Sequence, residues 1–167
     1  MRCVEARRSG GNWNLPLTHD DALNLFQQLS DWVPIDADGN LQLGLQADHP
    51  DTRPCVYAWV EQCTGGARRI LYIGKAGKGL IARMKQHRAG FKKSVTGQTH
   101  ALALRDVLMR GSTLSIWALY PEPFEMFGHL IPSHSAIEDY LIANVKPRPE
   151  RNHYNKRLAA PALSGDA

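Results

Sequence analysis

Six side chains have types and spacing that could do chemistry together: Tyr57, Tyr72, Lys75, Arg83, His87 and Glu138. A guanidinium presents forked donors that match a phosphate or a carboxylate. A tyrosine, with an ordinary pKa of ~10, serves as a base only where nearby cations favour the phenolate. Histidine gives or takes a proton near neutrality. A lone carboxylate suits magnesium, which keeps several waters and draws further ligands from its substrate. Each residue also has a plainer reading. The tyrosines could be ordinary strand aromatics, Arg83 and His87 a solvated helix face, and Glu138 the last member of a capping box, Ser135-Ala136-Ile137-Glu138.

Charge is distributed very unevenly. Residues 1–53 hold 4 bases and 8 acids, whereas Gln62 to Arg105 carries 10 bases and no acid within a net charge of +4 for the whole chain. The stretch from Lys146 to Arg157 adds 5 bases against one acid, Glu150. Such one-sided segments repel themselves unless they meet a polyanion, and phosphate backbones are the commonest one. Arg68, Arg69, Lys75, Lys78, Lys85, Arg88, Lys92, Lys93, Arg151 and Lys156 are the candidate contacts. The plainer reading is a solvated basic surface, and charge does not choose between the two.

Several elements must position these groups. Thr18-His19-Asp20-Asp21 opens a helix expected at about 19–31, followed by a strand in which Leu41, Leu43 and Leu45 alternate. Strands are expected over 54–61 and 69–74, joined by a hairpin through Thr64-Gly65-Gly66. In a two-residue hairpin, paired residue numbers sum to an odd value, so Tyr57 and Tyr72 fall on one face. A three-residue turn without a bulge would put them on opposite faces. Beyond Gly79, Leu80, Ile81, Met84 and Phe91 form the apolar stripe of a helix, with Arg83 and His87 one turn apart on another face. A further helix is expected at about 98–109, a strand over 113–120, and a last helix from Ser135 that stops before Lys146-Pro147.

In this order, the motifs Cys55-Val56-Tyr57, Tyr72-Ile73-Gly74-Lys75, Arg83-x-x-x-His87 and Glu138-x-x-Leu141-Ile142, with Pro147 nine beyond the glutamate, resemble the GIY-YIG nuclease superfamily over about residues 53–156. The resemblance implies an α/β fold with a small, mostly antiparallel, three-stranded sheet flanked by helices. It also implies a metal-dependent endonuclease that hydrolyses phosphodiester bonds in nucleic acid, with DNA as the expected substrate. By the same resemblance Tyr57 is the base, Tyr72 bonds a phosphate or the attacking water, and Arg83 holds the scissile phosphate. Lys75 adds positive field, and His87 shuttles a proton or hydrogen-bonds. Glu138 would bind Mg2+ or another divalent cation such as Mn2+. The family asparagine falls on Asn152 or Asn155, with Asn155 favoured. The sequence departs from the pattern at Cys55, where the motif has glycine; Cys55 is read as a packed cysteine. A silent nucleic-acid-binding module using the same basic face is the alternative.

Residues 1–51 read as an N-terminal helix/strand extension packed on the core, 52–157 as the nuclease-like domain, and 158–167 as a loose tail. The acidic extension is expected to shield a sheet edge or to meet a second copy of the chain or a partner protein. No apolar run approaches the ~20 residues of a membrane span, and the first residues lack the apolar stretch of a secretory signal, so a cytoplasmic protein without a membrane partner is expected. Three cysteines with no Cys-x-x-Cys pair suggest neither a disulfide framework nor a cysteine-rich zinc site. His100, His129, His134 and His153 show no metal-ligand spacing and read as surface or core residues.

Overall fold

The computed structural model describes residues 17–30 and 52–145. They form α1 (His19–Leu23), β1 (Gln27–Gln28), β2 (Cys55–Gln62), β3 (Arg68–Ala76), α2 (Leu80–Lys93), α3 (Val95–Met109), β4 (Thr113–Leu119), β5 (Phe124–Met126), β6 (His129–Ile131) and α4 (His134–Val145). The main sheet has four antiparallel strands in the order β1-β4-β2-β3, so the fold class matches expectation with one strand more. β5 and β6 form a separate hairpin.

β2 is the centre of the molecule. Flanked by β3 and β4, it is buried from Cys55 to Glu61 on both faces. Its odd residues Cys55, Tyr57 and Trp59 pack with Leu80, Met84, Leu104 and Val107 of α2 and α3. Its even residues Val56, Ala58 and Val60 pack with Ala22, Leu23, Leu141 and Val145 of α1 and α4. A strand covered on both sides reads as a continuous apolar run rather than an alternating one, and Cys55-Val56-Tyr57-Ala58-Trp59-Val60 is such a run.

The β2–β3 hairpin places both tyrosines on one face, but by a different route from the two-residue turn. Cys63 and Ala67 close a three-residue turn, with Gly66 at φ +83°. Near this turn the paired numbers sum to an even value, as in Glu61 with Arg69. The register then shifts between Trp59 and Val60, leaving Leu71 as an extra residue, and Trp59 pairs with Tyr72. This β-bulge restores the odd sum and returns Tyr72 to the face of Tyr57.

The helix expected over 19–31 is shorter. Thr18 caps it by accepting from the Asp21 amide, but Leu25 and Phe26 already donate to Ala22 and Leu23, three residues back. The chain then extends, and Gln27 and Gln28 pair with Ala118 and Trp117 along the outer side of β4. Ser30 accepts from the Ile116 amide, so sheet pairing outcompetes continued helix. Leu25, on the expected apolar stripe, is accordingly exposed. The alternating segment at 41–45 lies outside the described residues. Ser94 caps α3 through the Gly97 amide, so the helix begins at Val95, three residues before the expected start. No described helix is long and apolar enough to cross a membrane.

Candidate active site

Tyr57 projects from the middle of the sheet beneath α2, fully buried. Its hydroxyl receives a hydrogen bond from Arg83 Nε at 3.2 Å and shares a second with His87 Nε2 at 2.5 Å. Arg83 and His87 stand one turn apart on α2, which is how two side chains of one helix reach a single oxygen. Tyr72 completes the group, its ring centroid 5.8 Å from that of Tyr57 and 6.0 Å from that of His87. The strand glycine between the phenols is a steric requirement. A β-carbon on Gly74 would lie 2.7 Å from Tyr72 Cε1 and 2.8 Å from the Tyr57 hydroxyl.

Protonation follows from burial. Tyr57 is pushed well above the ordinary phenol value, first by loss of water and then by Tyr72, and the neighbouring Arg83 offsets only part of this. His87 is lowered to about 4, by burial first and then by the Arg83 charge. At neutral pH the hydrogen bond therefore joins a neutral phenol to a neutral imidazole, and the tautomer of His87 sets which of the two donates. Arg83 Nη1 also donates to Gln86 Oε1 at 3.1 Å.

Lys75 and Glu138 form a second group. Lys75 pairs with Val56 in register, so its side chain emerges on the α4 face of β3, opposite the phenols. There its Nζ lies 3.2 Å from Glu138 Oε2, with the Glu138 side chain only 14% exposed. The structure thus splits the expected site between the two faces of the sheet, linked through the adjacent residues Gly74 and Lys75 near the end of β3, an edge strand. The plainer reading of Glu138 as a capping residue does not hold. α4 begins at His134, leaving Ser135 inside the helix, and the carboxylate turns to Lys75 instead.

The other candidates are dispersed. Arg68 is bound to Asp20 at 3.4 Å and stands over the Trp117 ring on the α1 and α4 face, away from the phenols. Arg69 lies beside His19 and helps burial lower its pKa. Lys78, in the turn before α2, and Lys85, Arg88, Lys92 and Lys93, on α2, are exposed. Asn152, Asn155, Arg151 and Lys156 lie outside the described residues. Cys55 is buried, and burial pushes its thiol up to about 11, as expected of a packed cysteine.

His100 belongs to the cluster, although its sequence spacing gave no sign of it. On α3 and almost fully buried, its ring is 5.2 Å from Tyr72, 5.4 Å from His87 and 6.1 Å from Trp59. A histidine on the apolar stripe beside Leu104 was the available signal.

Among the described residues no three His, Cys, Asp or Glu side chains gather as a metal-ligand set. Glu138 alone suits a hard cation that retains its waters. It is largely enclosed, and its one oxygen is balanced by a Lys75 ammonium that a divalent ion would have to displace.

The class defined here is a four-stranded antiparallel sheet, helices on both faces, with a Tyr–Arg–His cluster under one helix pair. In overall structure the chain is similar to EndoII of bacteriophage T4, solved as a mutant, with a TM-score of 0.59 and 18% identity over 77% of this chain and 96% of that one. It is also similar, at a TM-score of 0.44 and 17% identity, to the restriction endonuclease HPY188I in complex with product DNA, over 99% of this chain and 100% of that one. No family model matches the sequence, and no curated protein does. The likeness to EndoII is one of fold.

Proposed function

We propose that the chain is a metal-dependent endonuclease of the GIY-YIG type that hydrolyses phosphodiester bonds in DNA. The observation that carries this reading is the Tyr57 hydroxyl held between Arg83 and His87 over a bare glycine. The fold shared with EndoII supports it.

The buried phenol is not a standing base, so Tyr57 acts as a relay. Once substrate binding admits a water to the buried Tyr57 oxygen, that water attacks phosphorus and passes its proton to the oxygen, while the phenol's own proton moves to His87 in the tautomer that accepts at Nε2. The phosphorus–oxygen bond to the leaving nucleotide then breaks, and the departing oxygen is protonated from solvent. Arg83, which also hydrogen-bonds Tyr72, directs its charge to the phosphate, where it stabilises the pentavalent transition state. Tyr72, half-buried beside it, bonds a phosphate oxygen. Glu138 would hold the divalent cation, magnesium or manganese, which when bound supplies positive charge to the phosphate and the leaving oxygen. Lys78, Lys85, Arg88, Lys92 and Lys93 supply sequence-independent affinity, which falls steeply with salt.

The test is incubation with plasmid, linear duplex, single-stranded DNA and RNA, with magnesium or with chelator. We expect magnesium-dependent cutting of DNA, abolished by Glu138→Ala while binding persists. Binding without cutting of any substrate in magnesium or manganese overturns the enzyme in favour of a silent binding module.

A further inference from the structure

Lys75 and Glu138 form an unequal pair. Lys75 Nζ lies 3.2 Å from Glu138 Oε2, yet the Lys75 side chain is 46% exposed and that of Glu138 only 14%. Glu138 is anchored, because α4 packs on the sheet through Leu141 and Val145. Lys75 carries its charge on a flexible four-carbon stem near the end of β3, an edge strand. Of the two partners, the ammonium is the one that a ligand arriving from solvent can reach and draw away.

The surroundings indicate what would draw it away. Lys75 belongs to the stretch from Gln62 to Arg105 that carries 10 bases and no acid. Lys78, in the turn that follows, and Lys85 and Arg88, on α2, are exposed. A polyanion attracted to these bases brings phosphate oxygens to Lys75 as well. Phosphate and carboxylate then compete for the same ammonium protons. Once the ammonium turns to a phosphate, a largely enclosed carboxylate has lost its counter-charge, which is costly unless another cation replaces it. A divalent ion that keeps several waters and takes a phosphate oxygen as a further ligand meets that need. Without nucleic acid, the same ion would have to displace the ammonium with no phosphate to receive it.

We propose that the Lys75–Glu138 ion pair makes cation binding conditional on nucleic acid: Lys75 exchanges Glu138 for a substrate phosphate, and the carboxylate so released takes the divalent cation. The inference rests on the nuclease reading and sets the order in which its site fills, nucleic acid first and cation second. Lys75 is thus a positioning residue that acts through Glu138.

The probe is Mn2+, whose unpaired electrons broaden nearby amide signals, titrated into the isotope-labelled full-length protein and followed by NMR. We expect the amides around Glu138 on α4 to broaden at a concentration at least about fivefold lower in Lys75→Met than in wild type, without DNA. Lys75→Gln, which keeps a polar group at this half-exposed position, should behave alike, and either variant suffices if the other fails to fold. A DNA duplex, kept intact by a Tyr57→Phe background, should lower the Mn2+ midpoint by a larger factor with Lys75 present than with Lys75→Met. Glu138→Gln, bound to the same duplex, corrects for ions held by the DNA alone. Equal midpoints for wild type and both Lys75 variants, or an equal effect of duplex on each, overturn the proposal and leave Glu138 standing as the cation ligand. Absence of localised broadening in every protein, duplex-bound or free, removes the cation from Glu138 and overturns the proposal together with the metal step of the nuclease reading.

Discussion

Replacing Gly74 by alanine adds one methyl group, and the structure fixes where it goes. The new β-carbon meets Tyr72 Cε1 at 2.7 Å, Tyr57 Oη at 2.8 Å and Tyr57 Cζ at 2.9 Å. Ordinary carbon contacts lie near ~3.5–4.0 Å, so at least one ring must retreat by more than about half an ångström. Tyr57 has no easy retreat, since it is fully buried and its hydroxyl is bonded to both Arg83 and His87. Alanine is intrinsically better than glycine in a strand by roughly 0.5–1 kcal/mol, and an overpacked core costs about 1–3 kcal/mol. The clash wins. We expect a net loss of about 1–2 kcal/mol, seen as a lower midpoint in urea with an unchanged slope. A displacement of this size at the reacting groups should also lower cleavage about 100-fold. Gly65→Ala is the control, because a β-carbon there meets nothing within 4 Å. Equal stability and equal cleavage for Gly74→Ala and wild type would show that the phenols do not depend on a bare position 74.

The remaining predictions concern protonation and backbone. The folded pKa of His87 is lowered from 6.5 to about 4, so its neutral form contributes stability that is complete above about pH 6.5 and is lost as the pH falls toward 4. At about 1.4 kcal/mol per pKa unit the contribution is on the order of 3 kcal/mol at most; denaturation of wild type and His87→Asn at pH 4.5 and 7.5 should show the variant's smaller acid loss. In the relay we propose, cleavage reaches a plateau by about pH 6, and a rate that climbs steadily toward pH 10 would point instead to a phenolate base. Phe127 sits at φ +53° before Gly128 at +75°, in a hairpin turn where side chains are strained, and its ring is 90% exposed. Phe127→Gly should therefore stabilise the chain by roughly 1 kcal/mol, and destabilisation on urea titration would reveal an unrecognised contact of the ring.

What the sequence made legible depended on the range of the interaction. Strands β2, β3 and β4 and helices α2, α3 and α4 were visible because each carries an apolar period or a stop signal of its own. The shared face of Tyr57 and Tyr72 was foreseen from hairpin parity, yet it arises from two irregularities that cancel, a three-residue turn and a bulge at Leu71. Neither leaves a local mark strong enough to fix register. The end of α1 was misjudged because the competing partner, the free side of β4, lies some ninety residues away in sequence. The β5–β6 hairpin went unread, although Phe127-Gly128 between Glu125-Met126 and His129-Leu130 is a two-residue turn between short strands. The capping-box motif at Ser135 was a local signal that tertiary contact overrode, since Lys75 claims the carboxylate of Glu138. His100 reaches the cluster only through the packing of α3 on the sheet.

The same packing decides how the candidate site could work. Burying Tyr57 fixes its oxygen between two partners but withdraws the water that would stabilise a phenolate, and a single guanidinium at 3.2 Å does not compensate. Burial acts in the opposite sense on the imidazole, keeping His87 neutral and able to accept. The two shifts complement each other: the group that cannot lose its proton unaided touches the group that is kept ready to receive one. A phenolate need never exist in the resting protein, because proton arrival and departure at the Tyr57 oxygen are linked through one hydrogen bond. In the relay we propose, positive charge on His87 appears only as the reaction proceeds, beside a phosphate that is gaining negative charge, where it stabilises the transition state more than the ground state. The proposed relay therefore rests on cluster geometry and not on an unusually acidic tyrosine.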